Sequence, residues 1–522
     1  MPAESSSDTP LIQSLLRPEC YRHPVDRVRL RETHISWIFL TGAYAYKVKK
    51  PVDFGFLNFS TLEMRLHYCE EEVRLNRRLA ASLYIDVVPI TGALETPKVG
   101  GQGVPMEYAV RMYEFSDADL ASVMAQSGGL TEQHLDDLAL CMARFHQQIP
   151  RSCRAHRRGG SACAKQAVEE NFGLLKERCM DSAVLEQLGQ IESWMDVQFN
   201  EDAALMDRRS EGGSVRECHG DLHLGNLVLL AGRLTPFDCI EFSEELRWVD
   251  VMSEIAFLVM DLEIHGLSHL GWRFLNRYLE ATGDYGGLPL LRYFLVYRAL
   301  VRAKIALLSA ASRISEAEGD RQFRRYVEYG SRVIRDQAPV LMIMHGYSGS
   351  GKSLLAGLIS EGLPAIRLRS DVERKRIGPA AGSPAERYGP DQTRATYDHL
   401  RQLAVTLLKA GFSVVVDATF LAQPYRERMK ETAAGLGVSF LIVDVQTPVA
   451  IMRRRIETRC SIRSDPSEAD LRVLERQLQT HEPLSQEEVA DTWAVSGDSP
   501  FDRQSLISGV RLRLGGNRAS GG

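Results

Sequence analysis
Apolar positions change their spacing along this chain. From about Thr33 to Arg111 they fall in short, largely alternating runs. ISWIFL and AYAYKVKK read as two strands around a turn at Thr41-Gly42, and VVPIT and EYAVRMYEF as two more. Between these pairs, Leu62, Leu66, Cys69 and Val73 recur every three or four residues. That spacing predicts a helix over about 60–80, with Ser60 and Glu63 at capping-box distance. From Ala118 to about Arg335 the pattern is helical, interrupted by one strand-and-loop island, ECHGDLHLGNLVLLAGRLTPFDCIEF. A break falls near Asp336-Gln337-Ala338-Pro339. Beyond it strands alternate with helices: PVLMIMHG, then FSVVVDATF, then VSFLIVDV. Such alternation predicts a parallel α/β sheet, and strands this apolar are expected to be buried on both faces. The layout is a loose polar arm with a short helix (1–30), an α+β domain of two lobes (31–335, small lobe to about 115), an α/β domain (336–510) and a flexible tail (511–522).

Composition narrows the classes. The 522 residues are 44% hydrophobic and 25% charged, which excludes a disordered or fibrous chain. A formal net charge of -5 argues against a strongly basic nucleic-acid binder while allowing a local basic patch. The first twenty residues lack a basic segment followed by an apolar core, and the best apolar run, IAFLVM, stops at Asp261. The nine cysteines are scattered with no C-x-x-C pair, so reduced thiols, a cytoplasmic location and no membrane association are the expectation.

The most specific motif is Gly346-Tyr-Ser348-Gly349-Ser350-Gly351-Lys352-Ser353, which fits G-x-x-x-x-G-K-[ST] between an apolar strand and an apolar-periodic helix. Such a loop wraps a phosphate with its backbone N–H groups and the following helix N-terminus. Lys352 is expected on the β- and γ-phosphates of ATP and Ser353 on Mg²⁺. Asp417, ending VVVDA, is placed to hold the Mg²⁺ shell, and Asp371, in IRLRSDVERKR, to act on an acceptor hydroxyl or to cap a helix. Arg453, Arg454, Arg455, Arg459 and Arg463 cluster in RRRIETRCSIR, which is either a group closing over a phosphoryl or a solvated helix face.

A second constellation lies in the island. His219-Gly-Asp221-Leu-His-Leu-Gly-Asn226 has H-x-D-x-x-x-x-N spacing, and Asp238 follows Asn226 by twelve residues. Asp221 would orient or accept a hydroxyl proton, while Asn226 and Asp238 would hold Mg²⁺ against ATP phosphates. Such a site needs a strand lysine paired to a helix glutamate. Lys47 is the preferred lysine, with Lys49 on the same strand face. Among Glu70, Glu71 and Glu72, periodicity turns Glu71 away from the apolar stripe and leaves Glu70 and Glu72 open.

On HGDLHLGN and the later Asp238, residues of about 30–320 resemble the aminoglycoside phosphotransferase family, a branch of the protein-kinase-like fold. That resemblance implies Glu72 as the partner of Lys47, because Leu75 and Leu79 follow it at the family's apolar positions. It also implies that Met112 to Phe115 lie against adenine and that Asp250 is structural. No G-x-G-x-x-G loop occurs near Phe39–Tyr44. On the phosphate loop, SDVERKR, VVVDATF and the arginine-rich segment, about 338–510 resembles the small P-loop kinases around polynucleotide kinase, zeta toxin and gluconate kinase. There the resemblance implies Asp371 as the acceptor-activating carboxylate, Arg374 as an acceptor contact, and Arg455 and Arg459 as lid arginines. The joined halves resemble bifunctional aminoglycoside phosphotransferase/ATP-binding proteins. The implied activity is two ATP- and Mg²⁺-dependent phosphotransferases acting on hydroxyls of small molecules. A nucleotide-sensing regulator and a 5′-hydroxyl nucleic-acid kinase stand as alternatives, with nucleic acid not favoured. The missing glycine loop, and the lack of D-F-G and A-P-E strings after Asn226, disfavour a protein kinase.

Overall fold
A computed structural model describes residues 10–55, 57–152, 159–310, 316–335, 338–378, 389–462, 470–498 and 501–516. The chain groups into two compact units, one of residues 1–173 with 198–261 and one of residues 174–197 with 262–522.

The first unit is built on a mixed-length antiparallel sheet. Its strands are β1 (Arg29–Glu32), β2 (Ser36–Leu40), β3 (Tyr44–Lys49), β4 (Tyr84–Ala93), β5 (Thr96–Val99) and β6 (Glu107–Tyr113), in the order β1-β2-β3-β6-β4-β5 among the described residues. Alternation along these strands sends side chains to two different cores. On one face Trp37, Phe39, Tyr46 and Val48 pack on Ile12, Leu15, Cys20 and Tyr21, so the segment from Pro10 onward is packed rather than loose. On the other face Ala45, Val110 and Met112 meet Cys69, Val73 and Ala80 of the Leu62–Ala80 helix. That helix starts one residue later than its sequence suggests. Thr61, not Ser60, is the N-cap and accepts from Met64 N, while the Ser60 hydroxyl donates to Asn58 Oδ1. Strand β1 carried no clear apolar signal, since Arg29-Leu-Arg-Glu32 is largely exposed.

The island forms two small ribbons: β8 (Leu227–Leu230) with β9 (Arg233–Pro236), and β7 (Val215–Glu217) with β10 (Trp248–Asp250). Asn226 immediately precedes β8 and Asp238 follows β9 by two residues, so the hairpin brings both to one end. Asp250 is structural, as the resemblance implied. It holds Arg209 through a paired contact of 2.7 and 2.9 Å and accepts from Met252 N at the start of a buried helix.

The second unit carries a fully parallel sheet. Its strands are β11 (Val340–His345), β12 (Ala365–Arg369), β13 (Ser413–Asp417), β14 (Ser439–Gln446) and β15 (Thr492–Ser496), in the order β12-β13-β11-β14-β15. Strands β11, β13 and β14 are buried along most of their length, as their unbroken apolar runs predict. The core lies between the sheet, the Lys352–Gly362 helix and a C-terminal helix, Arg503–Gly516, that supplies Leu506 and Val510. Order therefore extends to residue 516, into the region expected to be a tail. Among the described residues no helix is long and apolar enough to cross a membrane, and the seven described cysteines are free thiols.

Candidate active sites
Strand β3 ends on two lysines that point the same way. Lys47 Nζ donates to Glu72 Oε1 at 2.8 Å and also to Asp238 Oδ1. Lys49 Nζ donates to Glu72 Oε2 at 2.7 Å and to Glu241. Glu72 is fully buried and Glu70 exposed, which settles the choice that periodicity left open, while Glu71 pairs with Arg74. Burial by itself would push the Glu72 carboxyl up; the ammonium groups of Lys47 and Lys49 overcome it and hold the group at about 2. Burial likewise opposes the charge on Lys47, and Asp238 and Glu72 outweigh it, so Lys47 stays charged well above its ordinary range. Glu241 is pushed up by burial, with Lys49 opposing. Of these three carboxyl groups, that of Asp238 is open to the cleft, with its side chain 41% exposed against 0% and 3% for the others.

Asp238 has a left-handed backbone, φ 60°, which costs a non-glycine residue free energy and marks a side chain aimed by its surroundings. Its N–H donates to the Tyr84 hydroxyl at 3.1 Å, and the next N–H donates to Asn76 Oδ1 at 3.0 Å. Across the cleft, Asn226 Nδ2 donates to Asp221 Oδ2 at 2.8 Å, and His223 Nε2 lies 3.3 Å from the same oxygen. The loop is fixed from below: Gly220 N donates to Glu254 Oε1 at 2.7 Å, Leu224 N to Asp261 Oδ2 at 2.8 Å, and His219 Nε2 meets Phe237 O at 2.9 Å. Glu254 is buried, yet the hydrogen bond from His146 helps hold its carboxyl at about 2.

Lys47, Asn226 and Asp238 line a cavity of about 680 Å³ together with Ile38, Met112 and Phe115; Asp221 is not in its lining and adjoins it through Asn226. The segment Met112–Phe115 contributes Met112, Glu114 and Phe115 to the lining of this cavity. Arg29, Arg31 and Thr33 also line it, on β1 and the turn that follows. That turn carries no glycine to mark it in the sequence; in the next turn Gly42 (φ 92°) donates its N–H to Glu114. Lys49, named beside Lys47 for lying on the same strand face, is the second lysine of the cluster. Glu241 was the other omission, with no signal beyond its place three residues after Asp238. The oxygens of Asn226 and Asp238 form a hard donor set that fits Mg²⁺.

In the second unit, Gly346 to Gly351 join the end of β11 to the Lys352–Gly362 helix. Gly346 (φ 135°) and Gly349 (φ 81°) need the freedom of glycine, because a Cβ there would stand 2.8 Å from Val445 O and Met452 O respectively. Lys352 Nζ lies on Tyr347 O at 2.5 Å and 3.4 Å from Ser350 Oγ. Ser353 Oγ donates to Asp417 Oδ1 at 3.1 Å. The other oxygen of Asp417 is buried without a hydrogen-bond partner among the described residues, and burial pushes that carboxyl up despite Arg369 and Arg367. A serine hydroxyl beside a half-satisfied carboxylate fits the water shell of Mg²⁺.

A cavity of about 380 Å³ brings together Ser348, Gly349, Gly351, Lys352, Ser353, Asp371, Arg374, Asp417 and Arg455. Asp371 lies in the first turn of the Ser370–Ile377 helix, whose N-cap is Arg369. Arg455 is turned to the back of the loop, donating to Ser350 O at 3.2 Å and Gly497 O at 2.8 Å. Arg459 falls on the Val449–Ile462 helix but its side chain, like Arg463 as a whole, lies outside the described residues. Missing from the sequence reading were Arg369, and Arg476 and Gln477 of the Leu471–Thr480 helix, all of which line the cavity. Gln477 Oε1 accepts the Ser348 N–H at 2.9 Å.

Residues 64–291 match the phosphotransferase enzyme family, and residues 341–484 match the AAA domain family. The chain is 30% identical over 456 residues to an uncharacterized protein of Mycobacterium tuberculosis and to its counterpart in Mycobacterium bovis, covering 85% of this chain and 90% of each relative. It belongs to their family, and in this chain a phosphotransferase domain of the aminoglycoside phosphotransferase type precedes a P-loop kinase-like domain. Similar solved structures include an amicoumacin kinase (15% identity, 63% of this chain and 94% of that one, TM-score 0.38). Another is a gluconokinase from Sinorhizobium meliloti (21% identity, 36% and 99%, TM-score 0.27).

Proposed function
We propose that the protein is a bifunctional ATP-dependent phosphotransferase, each half transferring the γ-phosphoryl group of Mg-ATP to a hydroxyl of a small molecule. One observation carries the reading: in each unit, a phosphate-seeking lysine, two oxygen donors suited to Mg²⁺ and a further carboxylate line a single cavity or adjoin it. In the first, Lys47 neutralises phosphate charge while Glu72 fixes it. Asp221, oriented by Asn226, takes the proton of the acceptor hydroxyl as its oxygen bonds to the γ-phosphorus and the bond to the β-phosphate oxygen breaks, leaving ADP and a phosphate ester. In the second, the loop N–H groups and Lys352 hold the phosphates, and Asp371 takes the acceptor proton in the same way, with Arg374 beside it. Magnesium, when bound, supplies charge neutralisation on the β- and γ-phosphate oxygens. ATP consumption by wild type, Asp221→Asn and Lys352→Ala proteins against fractionated metabolites tests this. Each substitution is expected to silence a different set of acceptors, and no acceptor-dependent consumption in any fraction would refute it.

A further inference from the structure
The Ser268–Thr282 helix, in the same compact unit as the P-loop, completes the outer edge of β12. Asn276 meets that edge as a neighbouring strand would: its Nδ2 donates to Ala365 O at 3.0 Å and its Oδ1 accepts from Arg367 N at 2.7 Å. One turn on, Glu280 is buried. Its Oε1 accepts from Arg367 Nε at 3.0 Å and Nη2 at 2.5 Å, and its Oε2 stands 3.5 Å from Arg369 Nη1. Both arginines reach on to the P-loop site. Arg367 Nη1 donates to the Ser353 carbonyl at 3.2 Å, and Arg369 Nε stops 3.5 Å from Asp417 Oδ2, the oxygen with no hydrogen bond among the described residues. Arg376, on the helix that carries Asp371, donates to the Glu280 carbonyl at 2.7 Å.

A guanidinium facing two carboxylates divides between them, and its rigid fork carries the constraint on one face to the other. At 3.5 Å, Arg369 neutralises Asp417 without hydrogen-bonding it. We infer that Glu280 is a positioning residue of the P-loop site: by holding Arg367 and Arg369 it seats Ser353 and keeps Arg369 from closing onto Asp417, so that Asp417 stays turned to magnesium. The inference rests on the P-loop unit being a nucleotide site and deepens that reading. Without Glu280, Arg369 swings onto Asp417 Oδ2 and competes with the cation.

The test is calorimetric titration of the full-length protein with ADP, in magnesium and in EDTA, following the component that Lys352→Ala removes. Glu280→Gln is expected to weaken the magnesium-dependent titration about tenfold, within the usual range of site coupling, and to leave the metal-free one within about twofold. Adding Arg369→Met to Glu280→Gln removes the intruding group and should recover most of the loss. Equal weakening of both titrations, no change in either, or no recovery in the double variant overturns the positioning role. A Lys352→Ala protein that binds like wild type overturns the nucleotide site itself, and the inference with it.

Discussion
Lys47 is held by carboxylates drawn from separate elements, Glu72 from a helix and Asp238 from the end of a hairpin, with Lys49 and Glu241 locking the same cluster from behind. Lys352 is held by a carbonyl and a hydroxyl of its own loop. The first site is therefore pre-organised by buried ion pairs over long sequence separation, the second by local backbone shape. Buried charges are costly unless fully paired, so the first arrangement ties catalytic geometry to the stability of the unit around it. A loop shaped by glycines does not.

The largest effect should come from chemistry confined to one side of this contrast. Asp221→Asn keeps the Asn226 contact in shape but removes the proton acceptor, and a loss of about 10²–10⁴ in kcat for the first activity is expected. Activity dependent on Lys352 should be unchanged. Steady-state assays of the two activities in one preparation read this, and a parallel fall in both would erase the distinction between the sites.

Next in size is the structural counterpart. Lys49→Met leaves Glu72 and Glu241 buried with one partner fewer, and breaking such a cluster costs about 3–5 kcal/mol. Lys352→Met removes hydrogen bonds to neutral acceptors, worth about 0.5–1.5 kcal/mol. Urea unfolding of each variant should show the first unit's transition moving far more than the second's. Similar shifts would mean that Lys49 is not the anchor assigned to it.

Acid should separate the units in the same direction. Glu72 titrates at about 2 when folded against about 4.5 unfolded, so the unfolded chain binds its proton first. The stability Glu72 confers is complete above about 4.5 and drains away as the pH falls toward 2. Glu254 adds to this over the same window, also at about 2. Asp417 has the opposite sign: burial raises its folded value above 3.8, so its own protonation relieves the second unit, whereas protonation of Glu280, held low against burial by Arg367 and Arg369, weakens it. Denaturation between pH 6 and pH 3 should show the first unit losing ground, with Glu72→Gln flattening the slope. An unchanged slope in that variant would remove Glu72 from the account.

How far each site could be read from the sequence follows from the same contrast. The phosphate loop is eight consecutive residues between a strand and a helix, and each of its three glycines has a positive φ that other residues rarely adopt. Asp417 was found because it ends an apolar strand, and that strand pairs with β11 beside the loop. In the first site, the Asp221, Asn226 and Asp238 spacing was visible because one hairpin joins them. Glu72 needed a family resemblance, since Glu70 and Glu72 both flank the apolar stripe and periodicity does not choose between them. Glu241, Arg369 and Gln477 were out of reach: each matters through a partner at least 48 residues away in sequence, and no local period encodes that. The cap at Thr61 shows the same limit at short range, because Ser60 and Thr61 are both good caps and tertiary entry angle decides between them.

The smallest effect tests whether the loop of the second site is wholly self-contained. Ser348 N–H faces Gln477 Oε1 at 2.9 Å, and that donor is one the phosphates would claim. Nucleotide must first displace the amide, which costs the net value of one neutral hydrogen bond, about 0.5–1.5 kcal/mol. Gln477→Ala should therefore tighten the Lys352-dependent nucleotide affinity by about twofold to tenfold in a calorimetric titration. Arg476, the residue beside it in the same cavity, stays in place to meet the phosphates, so the gain should persist with ADP as well as ATP. Weaker binding in this variant would mean that Gln477 serves the bound state instead. The loop would then depend on a distant helix as Lys47 depends on its carboxylates, and the contrast between the two sites would narrow to one of degree.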